Sequence, residues 1–493
     1  MEVRNSHSLV RVDTPDREEL FHQAVEIASG KLKDTLFSVN SFLVVTHVDA
    51  DGIAAAGIFA KMLEEHRKFF LIRSILSLDT SFLEEIKTLP YDAIAFLDLG
   101  SAMIPEIEEI LPDKPVFVLD HHASRGSPKH VVEVNPYRSG FDGDKWISGA
   151  AVTYLTIRSL ISNPYRLAPL AIVGALGDLQ DRPINKLQGM NRKIAKEAAL
   201  KGYLKICEGI VVFGWARRPV EKAVACMFSP YVPGISGDET AASNLLIRIG
   251  IRLVDDSGRP RRPADLSPVE QQVLARALAE KIASMSGQPV DESAFFGENY
   301  VITEENPQDP TYDAREFSSL LNACGKGGRS DIGIAIALGD RGRSLEEAYR
   351  LMEQHRQRIA SALSLITNQG LSRQISPHLY VIDAGNLIDE RLISSVVSIL
   401  ATSGLYPKDS IVVGLAEYKY RDQVLVKVSA RYVSAPGKMV QPKLHLGRLL
   451  GEIAEAVGGV GGGHGVAAGA SFDSGHKQKF IELVRQRIET ALA

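Results

Sequence analysis

Residues 116–124 read VFVLDHHAS: four apolar residues, Val116 to Leu119, run straight into Asp120, His121 and His122. A short apolar run of this kind has the length of a buried strand. An acid and two imidazoles at its end call for a chemical reason. Working outward, other apolar runs end in the same way. FLVVTHVDADG (42–52) opens with a strand at Phe42–Val45 and continues into His47, Asp49 and Asp51, and IAFLDLGS (94–101) reaches Asp98. Downstream, LAPLAIVGALGDLQD (167–181) is a further apolar segment that ends in acids, among them Asp178.

Between these runs the pattern turns helical, at Ile53–Leu63, at about Ile104–Leu111, and in ISGAAVTYLTIRSLI with Ser148 as its N-cap. The alternation predicts a parallel α/β sheet. Ligands of open α/β sheets bind outside the carboxyl ends of the strands, so the acids and imidazoles are predicted to meet on one rim. In an extended segment residues i and i+2 point the same way, about 6.6 Å apart. Asp49 and Asp51 are therefore expected to converge on neighbouring ions about 3.5–4 Å apart. A lone Asp at a strand end is ordinarily a turn or cap residue. His-x-Asp-x-Asp joined to Asp-His-His is another matter, because so many carboxylates repel unless a divalent cation neutralises them. Mixed carboxylate and imidazole donors without thiolate suit Mn²⁺, Mg²⁺, Zn²⁺ or Fe²⁺, and an oxygen-rich set suits Mn²⁺ best.

The bulk properties bound the rest. A chain of 493 residues predicts two or three domains. A hydrophobic content of 45% with 24% charged residues is that of a globular protein, and a net charge of −4 excludes a globally basic nucleic-acid binder while leaving room for a local basic groove. The three cysteines, Cys207, Cys226 and Cys324, form no metal-type pair and no disulfide framework, which predicts a reducing compartment. The polar start and the lack of any apolar run near the ~18–20 residues of a membrane span predict a cytoplasmic protein.

The organisation expected along the chain is a catalytic α/β domain over 1–215, a helical or mixed insertion over 216–343, a connector helix over 344–370 and a smaller α/β domain over 375–493. The connector reads SLEEAYRLMEQHRQRIASALSLI, without Gly or Pro. The last part carries GGVGGGHGVAAG (458–469), in which Gly463, Gly465 and Ala468 fit a loose dinucleotide fingerprint. That stretch follows a helix-like segment instead of a strand, so the fingerprint lacks its context. It is read as a loop whose amides approach phosphate at Gly462 and Gly463, with His464 adding a hydrogen bond. Arg431 and Lys427 sit four apart on a strand and share a face. With Lys438 and Lys443 they could line a phosphate-tracking groove.

THVDADG, FLDLGS, LDHHAS and GALGDLQD together resemble the four motifs of the DHH phosphoesterases, a family named for its Asp-His-His. GGGHGVAAGAS (461–471) resembles the signature of the family's second domain, DHHA1. NACGKGG (322–328) is similar to the Asn-Ala-x-Gly-Arg stretch of RecJ-type single-strand exonucleases, and SPYVPGISG and EFSSLLNACGK look like the archaeal RecJ-like proteins. The resemblance implies an N-terminal parallel-sheet DHH domain with helices on both faces, a helical connector and a DHHA1 substrate-binding domain. It implies two divalent ions, Mn²⁺ or alternatively Mg²⁺. Asp49 would hold one, Asp51 the other, and Asp98 would bridge them. His121 and Asp178 would complete the second site and His47 would support the first. His122 would touch the scissile phosphate or orient the leaving group, and Asp120 would orient His121 through a ring nitrogen. Asn322, Lys326, Arg329, Arg431, Gly462, Gly463 and His464 would bind substrate, while Asp181 is read as a turn residue outside the site. Lys326 stands where the RecJ pattern has Arg and lacks the bidentate fork, which leaves terminal-phosphate recognition, and with it end preference, open.

The implied activity is a single-strand-specific exonuclease, 5′→3′ on DNA and with RNA as a further substrate, in DNA replication and repair. The implied partners are single-stranded nucleic acid and GINS or other replicative-helicase components. Two alternatives stand beside it. One is a phosphodiesterase for oligoribonucleotides or cyclic dinucleotides; the other is a replisome scaffold resembling Cdc45 with little catalysis.

Overall fold

The structure is a computed structural model; it describes residues 16–287, 289–421, 423–434, 442–463 and 465–492, without the side chains of 286 and 492. The chain divides into two compact units, Met1–Gln180 with Gly189–Ile194, and Asp181–Gln188 with Ala195–Ala493. The expected catalytic domain ran on to 215; the compact unit stops short of it.

The first unit is built on five strands, β1 (Ser41–His47), β2 (Phe69–Ile75), β3 (Ala93–Leu97), β4 (Val116–Leu119) and β5 (Val132–Val134), in the order β2-β1-β3-β4-β5. Every neighbouring pair is parallel. β3 and β4 are buried along their whole length, as a sheet covered on both faces requires. Leu43, Val45, Ile94, Phe96, Val116 and Val118 pack on Leu83 and Ile86 of helix Thr80–Lys87 and on Ile104 and Ile107 of helix Ile104–Ile110. On the other face Phe42 meets Phe59 of helix Ala50–Glu65 edge to face, at 6.1 Å. Helices Gly149–Ile157 and Ala168–Gly177 pack on that helix and on each other. These last two are buried nearly all round, which suits interior helices rich in Ala and Gly. Strand order reverses direction between β1 and β3, the switch point beside which open α/β sheets bind ligands at their carboxyl ends.

Residues 168–177 settle as a helix, where the sequence left an apolar segment grouped with strand ends. The apolar run at 333–338 likewise lies mostly in a helix, Ser330–Ala337. A fully apolar run carries no period that separates strand from helix.

The second unit begins with an antiparallel pair, β6 (Leu204–Ile210) and β7 (Phe296–Ile302). Helices Val220–Ala225, Glu239–Arg248 and Pro268–Ser286 gather around a core that includes Val224, Leu245, Leu274, Ile282 and Phe295. Helix Pro268–Ser286 starts at a capping box of Ser267 and Glu270. The expected connector is the 27-residue helix Arg343–Gln369, ended by Gly370 in the left-handed conformation at φ +64°. Glu316, fully buried, accepts hydrogen bonds from Arg217 and Arg218, and Arg218 also pairs with Glu353 of the long helix. The unit closes with a mixed six-stranded sheet of β8 (Ser372–Ser376), β9 (Leu379–Asp383), β10 (Ile411–Tyr420), β11 (Gln423–Tyr432), β12 (Val460–Gly463) and β13 (Ala467–Asp473), in the order β12-β13-β11-β10-β9-β8. Val426, Val428 and Ala430 face helices Leu446–Ala456 and Lys477–Leu492, so the alternate residues of β11 face away from them. Among the described residues no helix is long and apolar enough to cross a membrane.

Candidate metal centre and phosphate-binding strand

The carboxyl ends of β1, β3 and β4 deliver their side chains to one place. β1 ends at His47. Asp49 is then the N-cap of helix Ala50–Glu65, its Oδ1 accepting from Gly52 N–H at 3.0 Å. Asp51 lies in the first turn of that helix and is fully buried. The expected i, i+2 alternation of an extended segment is therefore replaced by a strand-to-helix turn. Gly52 serves packing within that turn: a Cβ there would lie 2.4 Å from the His47 carbonyl oxygen. Asp98 follows β3 in the left-handed region at φ +59°. Asp120, His121 and His122 follow β4, and Asp178 caps the carboxyl end of helix Ala168–Gly177.

His47, Asp49 and Asp98 each offer a ligand atom within 4.8 Å of the others, and so do Asp51, Asp98, His121 and Asp178. The two sets share Asp98. A third overlapping set is Asp98, His121 and His122. His121 Nε2 lies 3.2 Å from Asp98 Oδ1, 3.1 Å from Asp178 Oδ2 and 3.9 Å from Asp51 Oδ2. His47 Nδ1 lies 2.8 Å from Asp49 Oδ2 and 3.8 Å from Asp98 Oδ2.

Asp120 stands outside these sets. Its Oδ1 accepts from His122 Nδ1 at 2.8 Å and from the backbone N–H of His121 and His122, and its Oδ2 accepts from Ser101 N–H at 3.0 Å. It therefore orients the ring of His122, which corrects the expectation that it orients His121. The His121 ring is set by the Gly143 carbonyl, 3.0 Å from Nδ1. A carbonyl can only accept, so Nδ1 carries the proton and Nε2 points into the cluster. Gln180, bonded to the Gly143 carbonyl and to Asn191, braces this arrangement.

Sequence reasoning missed these supports. Asp51 accepts from Gly149 N–H at 2.6 Å and from Ala150 N–H at 3.1 Å, at the amino end of helix Gly149–Ile157. A Cβ at Gly149 would lie 2.7 Å from Asp98 Oδ1, and one at Gly174 would lie 2.2 Å from Asp51 Oδ1. A glycine inside each of two apolar helical runs was the available signal. Asp181 is also more than a turn residue, being fully buried with Oδ2 2.5 Å from Arg315 Nη1.

Electrostatics matches a cation site. Burial, then the charge of Asp178, pushes the Asp51 carboxyl up to about 7, and burial with Asp49 and Asp51 holds Asp98 well above the usual carboxylate range. Burial opposes a charged His121, yet its contacts with Asp178 and Asp98 prevail and raise its pKa well above the ordinary value. Both Asp98 oxygens, His121 Nε2 and His47 Nδ1 are buried without an aligned hydrogen-bond partner. Orphaned donor atoms aimed into shared space, with carboxylates forced toward protonation, fit a divalent ion that relieves both. The residues present fit such an ion.

Residues 41–175 match the family model described as the DHH family N-terminal domain, 212–292 the DHH-CID domain and 381–490 the DHHA1 domain. The chain thus carries DHH, DHH-CID and DHHA1 domains. It is 26% identical over 472 residues to an uncharacterized protein of Methanocaldococcus jannaschii, MJ0831, covering 94% of this chain and 97% of that one. The solved structure of RecJ in complex with Mn²⁺ from Thermus thermophilus matches with a TM-score of 0.57 at 18% identity, over 95% of this chain. The chain spans 55% of the length of that RecJ. CDC45 from Entamoeba histolytica matches with a TM-score of 0.60 at 10% identity, over 96% of this chain and 98% of that one. At such identities these structures establish a shared fold.

The DHHA1 domain of this DHH protein holds most of the remaining expected residues. Arg431 lies on β11 opposite Ala467 of β13, whose next residue pairs with Gly463 on the edge strand β12. Arg431, Gly462 and Gly463 thus share one end of the sheet. The glycine run is a strand there, where a loop was expected. A Cβ at Gly461 would lie 2.6 Å from the Leu450 carbonyl oxygen, and one at Gly447 would lie 2.0 Å from that of Gly463, so the glycines let helix Leu446–Ala456 sit on the strand. Lys427 shares the Arg431 face in register and is exposed, as is Lys443. His464 and Lys438 lie outside the described residues. Asn322 and Lys326 fall one turn apart at the end of helix Ala314–Lys326, and Lys326 Nζ lies 3.5 Å from Ser395 Oγ. Arg329 differs. Its guanidinium is bidentate to Asp331 at 2.9–3.0 Å and also meets Glu347 at 2.5 Å, so acids already occupy the fork that was expected to take phosphate.

Proposed function

We propose that this DHH protein is a divalent-metal-dependent phosphodiesterase that degrades single-stranded nucleic acid as an exonuclease, on DNA and also on RNA. The observation that carries this reading is the pair of donor sets sharing Asp98. Asp49, His47 and Asp98 would hold one ion; Asp51, Asp98, His121 and Asp178 would hold the other. Mn²⁺ suits the oxygen-rich donors, and the Thermus thermophilus RecJ of like fold carries Mn²⁺. Such ions, when bound, would supply an activated water and offset charge on the reacting phosphate.

The chain's own residues supply the rest. His122 is 42% exposed and bonded through Nδ1 to Asp120, which leaves Nε2 to face substrate. Burial opposes its charged form, but Asp120 prevails and raises its pKa above the ordinary imidazole value, which suits a proton donor to the leaving oxygen. Arg431, Lys326 and the amides of Gly462 and Gly463 would bind phosphates of the strand. Polarity 5′→3′ and attachment to a replicative-helicase component such as GINS belong to the same reading. A scaffold without catalysis is disfavoured, because a protein that bound no ion would bury Asp51 and Asp98 against their mutual repulsion to no purpose.

The test is digestion of end-labelled single-stranded DNA, single-stranded RNA and a dinucleotide with Mn²⁺ or Mg²⁺. Stepwise products from the long strands are expected, and cleavage of the dinucleotide alone would replace the exonuclease reading. Asp98→Asn is expected to lower turnover by about a thousandfold or more with the fold retained. Near-normal turnover by that variant would sink the shared-ligand assignment.

A further inference from the structure

Residues 181–188, DRPINKLQ, form a strap that belongs to the second unit, while the chain up to Gln180 and again from Gly189 belongs to the first. Its first residue, Asp181, stands three residues after the candidate ion ligand Asp178. The turn between them is locally unfavourable. Asp178 is the C-cap of helix Ala168–Gly177, where the macrodipole disfavours an acid. Leu179 follows in the left-handed region at φ +57°, a conformation that suits glycine, and its exposed side chain gains no burial in return. Leu179 N–H donates to the Leu176 carbonyl at 3.2 Å and Gln180 N–H to the Ala175 carbonyl at 3.0 Å, a Schellman turn built on a residue with a Cβ. Such a backbone persists where its surroundings enforce it.

Two sets of contacts do so. In the first unit, the Gln180 amide donates to the Gly143 and Ile147 carbonyls at 3.0 and 3.3 Å and accepts from Asn191 at 2.6 Å. In the second, Asp181 Oδ2 accepts from Arg315 Nη1 at 2.5 Å, and Arg315 Nη2 donates to the Glu298 carbonyl of β7 at 3.2 Å. Asp181 is fully buried and the Arg315 side chain is 14% exposed, so water does not replace either partner. The rest of the strap lies on β7. Asn185 Nδ2 donates to the Ala294 and Phe296 carbonyls at 2.9 and 3.2 Å, Glu298 N–H to the Asn185 carbonyl at 2.9 Å, and Leu187 N–H to the Tyr300 hydroxyl at 3.0 Å. A Cβ at Gly297 would lie 2.4 Å from the Asn185 carbonyl oxygen. Asp181 itself is in none of the donor sets found among the described residues.

We propose that Asp181 and Arg315 are positioning residues for Asp178. Their ion pair anchors the strap and, through the left-handed turn at Leu179, sets the Asp178 carboxylate beside His121 in the donor set that also holds Asp51 and Asp98. The inference rests on the metal-dependent phosphodiesterase reading and deepens it. A buried ion pair is weak ground for stability, since apolar side chains of like volume serve as well or better. What it supplies is geometry: a guanidinium fixed at once by a carboxylate and a carbonyl holds the backbone of both in one place. The tolerance of a metal site is a few tenths of an ångström, so a ligand on an unfavourable turn depends on that anchor.

The test is Mn²⁺ binding to the full chain by calorimetry at pH 7.5, with Asp178→Asn marking the binding step that needs Asp178. Arg315→Met is expected to weaken that step about tenfold, while the step at His47 and Asp49 stays within about twofold. Arg315→Lys, which keeps the charge without the fork, is expected to recover part of the loss. Leu179→Gly, which enters the left-handed region freely, is expected to recover part of it within the Arg315→Met chain. Unchanged Mn²⁺ affinity in a folded Arg315→Met chain overturns the assignment. So does a loss that falls equally on both steps, or one that Leu179→Gly leaves untouched, since a pair that only stabilises the fold would give either. If Arg315→Met does not fold, Asp181→Asn, which keeps the side-chain shape, carries the same comparison. The expected pattern in a chain that hydrolyses no strand would leave the positioning role standing and remove the phosphodiesterase reading. No Mn²⁺ binding by the unsubstituted chain would remove both.

Discussion

Asp98 occupies a conformation that costs a non-glycine residue about 1–3 kcal/mol unless its surroundings enforce it. They do so here: its N–H donates to the Leu119 carbonyl at 2.9 Å, and Gly149 packs against its side chain. Asn tolerates the left-handed region and Ala does not, so Asp98→Asn isolates the carboxylate from the backbone. Asp120 makes a different kind of residue-scale claim. Its carboxyl is held well below the usual range, since its bond to His122 outweighs burial. Asp120→Asn is expected to reduce kcat about 10–100-fold by freeing the His122 ring, while Mn²⁺ affinity measured by calorimetry stays close to that of the unsubstituted chain. A matching loss of Mn²⁺ affinity would return Asp120 to the orientation of His121. That partner was open to sequence reasoning only as a guess, because Asp120 is adjacent to both histidines. The choice between them depends on Gly143, twenty-two residues away, whose carbonyl takes His121.

At the scale of elements, the ends of β1, β3 and β4 were legible because apolar runs stop where charged residues begin. Asp178 was legible as a residue, but the helix that carries it was not, since LAPLAIVGALG has no polar face to reveal a period. The glycine run failed in the opposite direction. Its residues look like a loop by composition, and only the helix lying on Gly461 and Gly463 explains why a strand there lacks side chains. Helix Arg343–Gln369 covers the stretch expected as a connector helix, since twenty-seven residues without Gly or Pro leave few alternatives, and it lies wholly inside the second unit. That helix also carries a pH-dependent element. His355 has an unfolded pKa of about 6.5, and the folded value is pushed down to about 4. Between these values the unfolded chain binds more protons, so stability rises with pH through this window and levels off above it. His355→Leu is expected to remove about 2 kcal/mol of the difference between urea midpoints taken near pH 4.5 and pH 7. An unchanged difference would show that the imidazole is freely solvated.

For the whole molecule, a net charge of −4 means that binding to a polyanion depends on local placement, as at Lys326 and Arg431, and not on overall attraction. The division into two units adds a thermodynamic consequence. Every candidate ion ligand, from His47 to Asp178, lies in the first unit. An ion that binds only the folded state stabilises it by RT ln(1 + [L]/Kd), about 2.7 kcal/mol at a hundredfold excess over Kd. In its absence Asp51 and Asp98 are buried together with raised pKa values, so the ion also removes an internal repulsion. Calorimetric melting at pH 7.5 is expected to resolve a transition that Mn²⁺ moves upward by several degrees and EDTA restores, beside one that Mn²⁺ leaves in place. In Asp98→Asn the mobile transition should lose its response to Mn²⁺, because both donor sets lose their common member. The same variant should melt at least as high as the unsubstituted chain in EDTA, since the amide relieves the carboxylate crowding. A Mn²⁺ shift that survives in Asp98→Asn would place the ion elsewhere in the molecule, and with it the reaction centre.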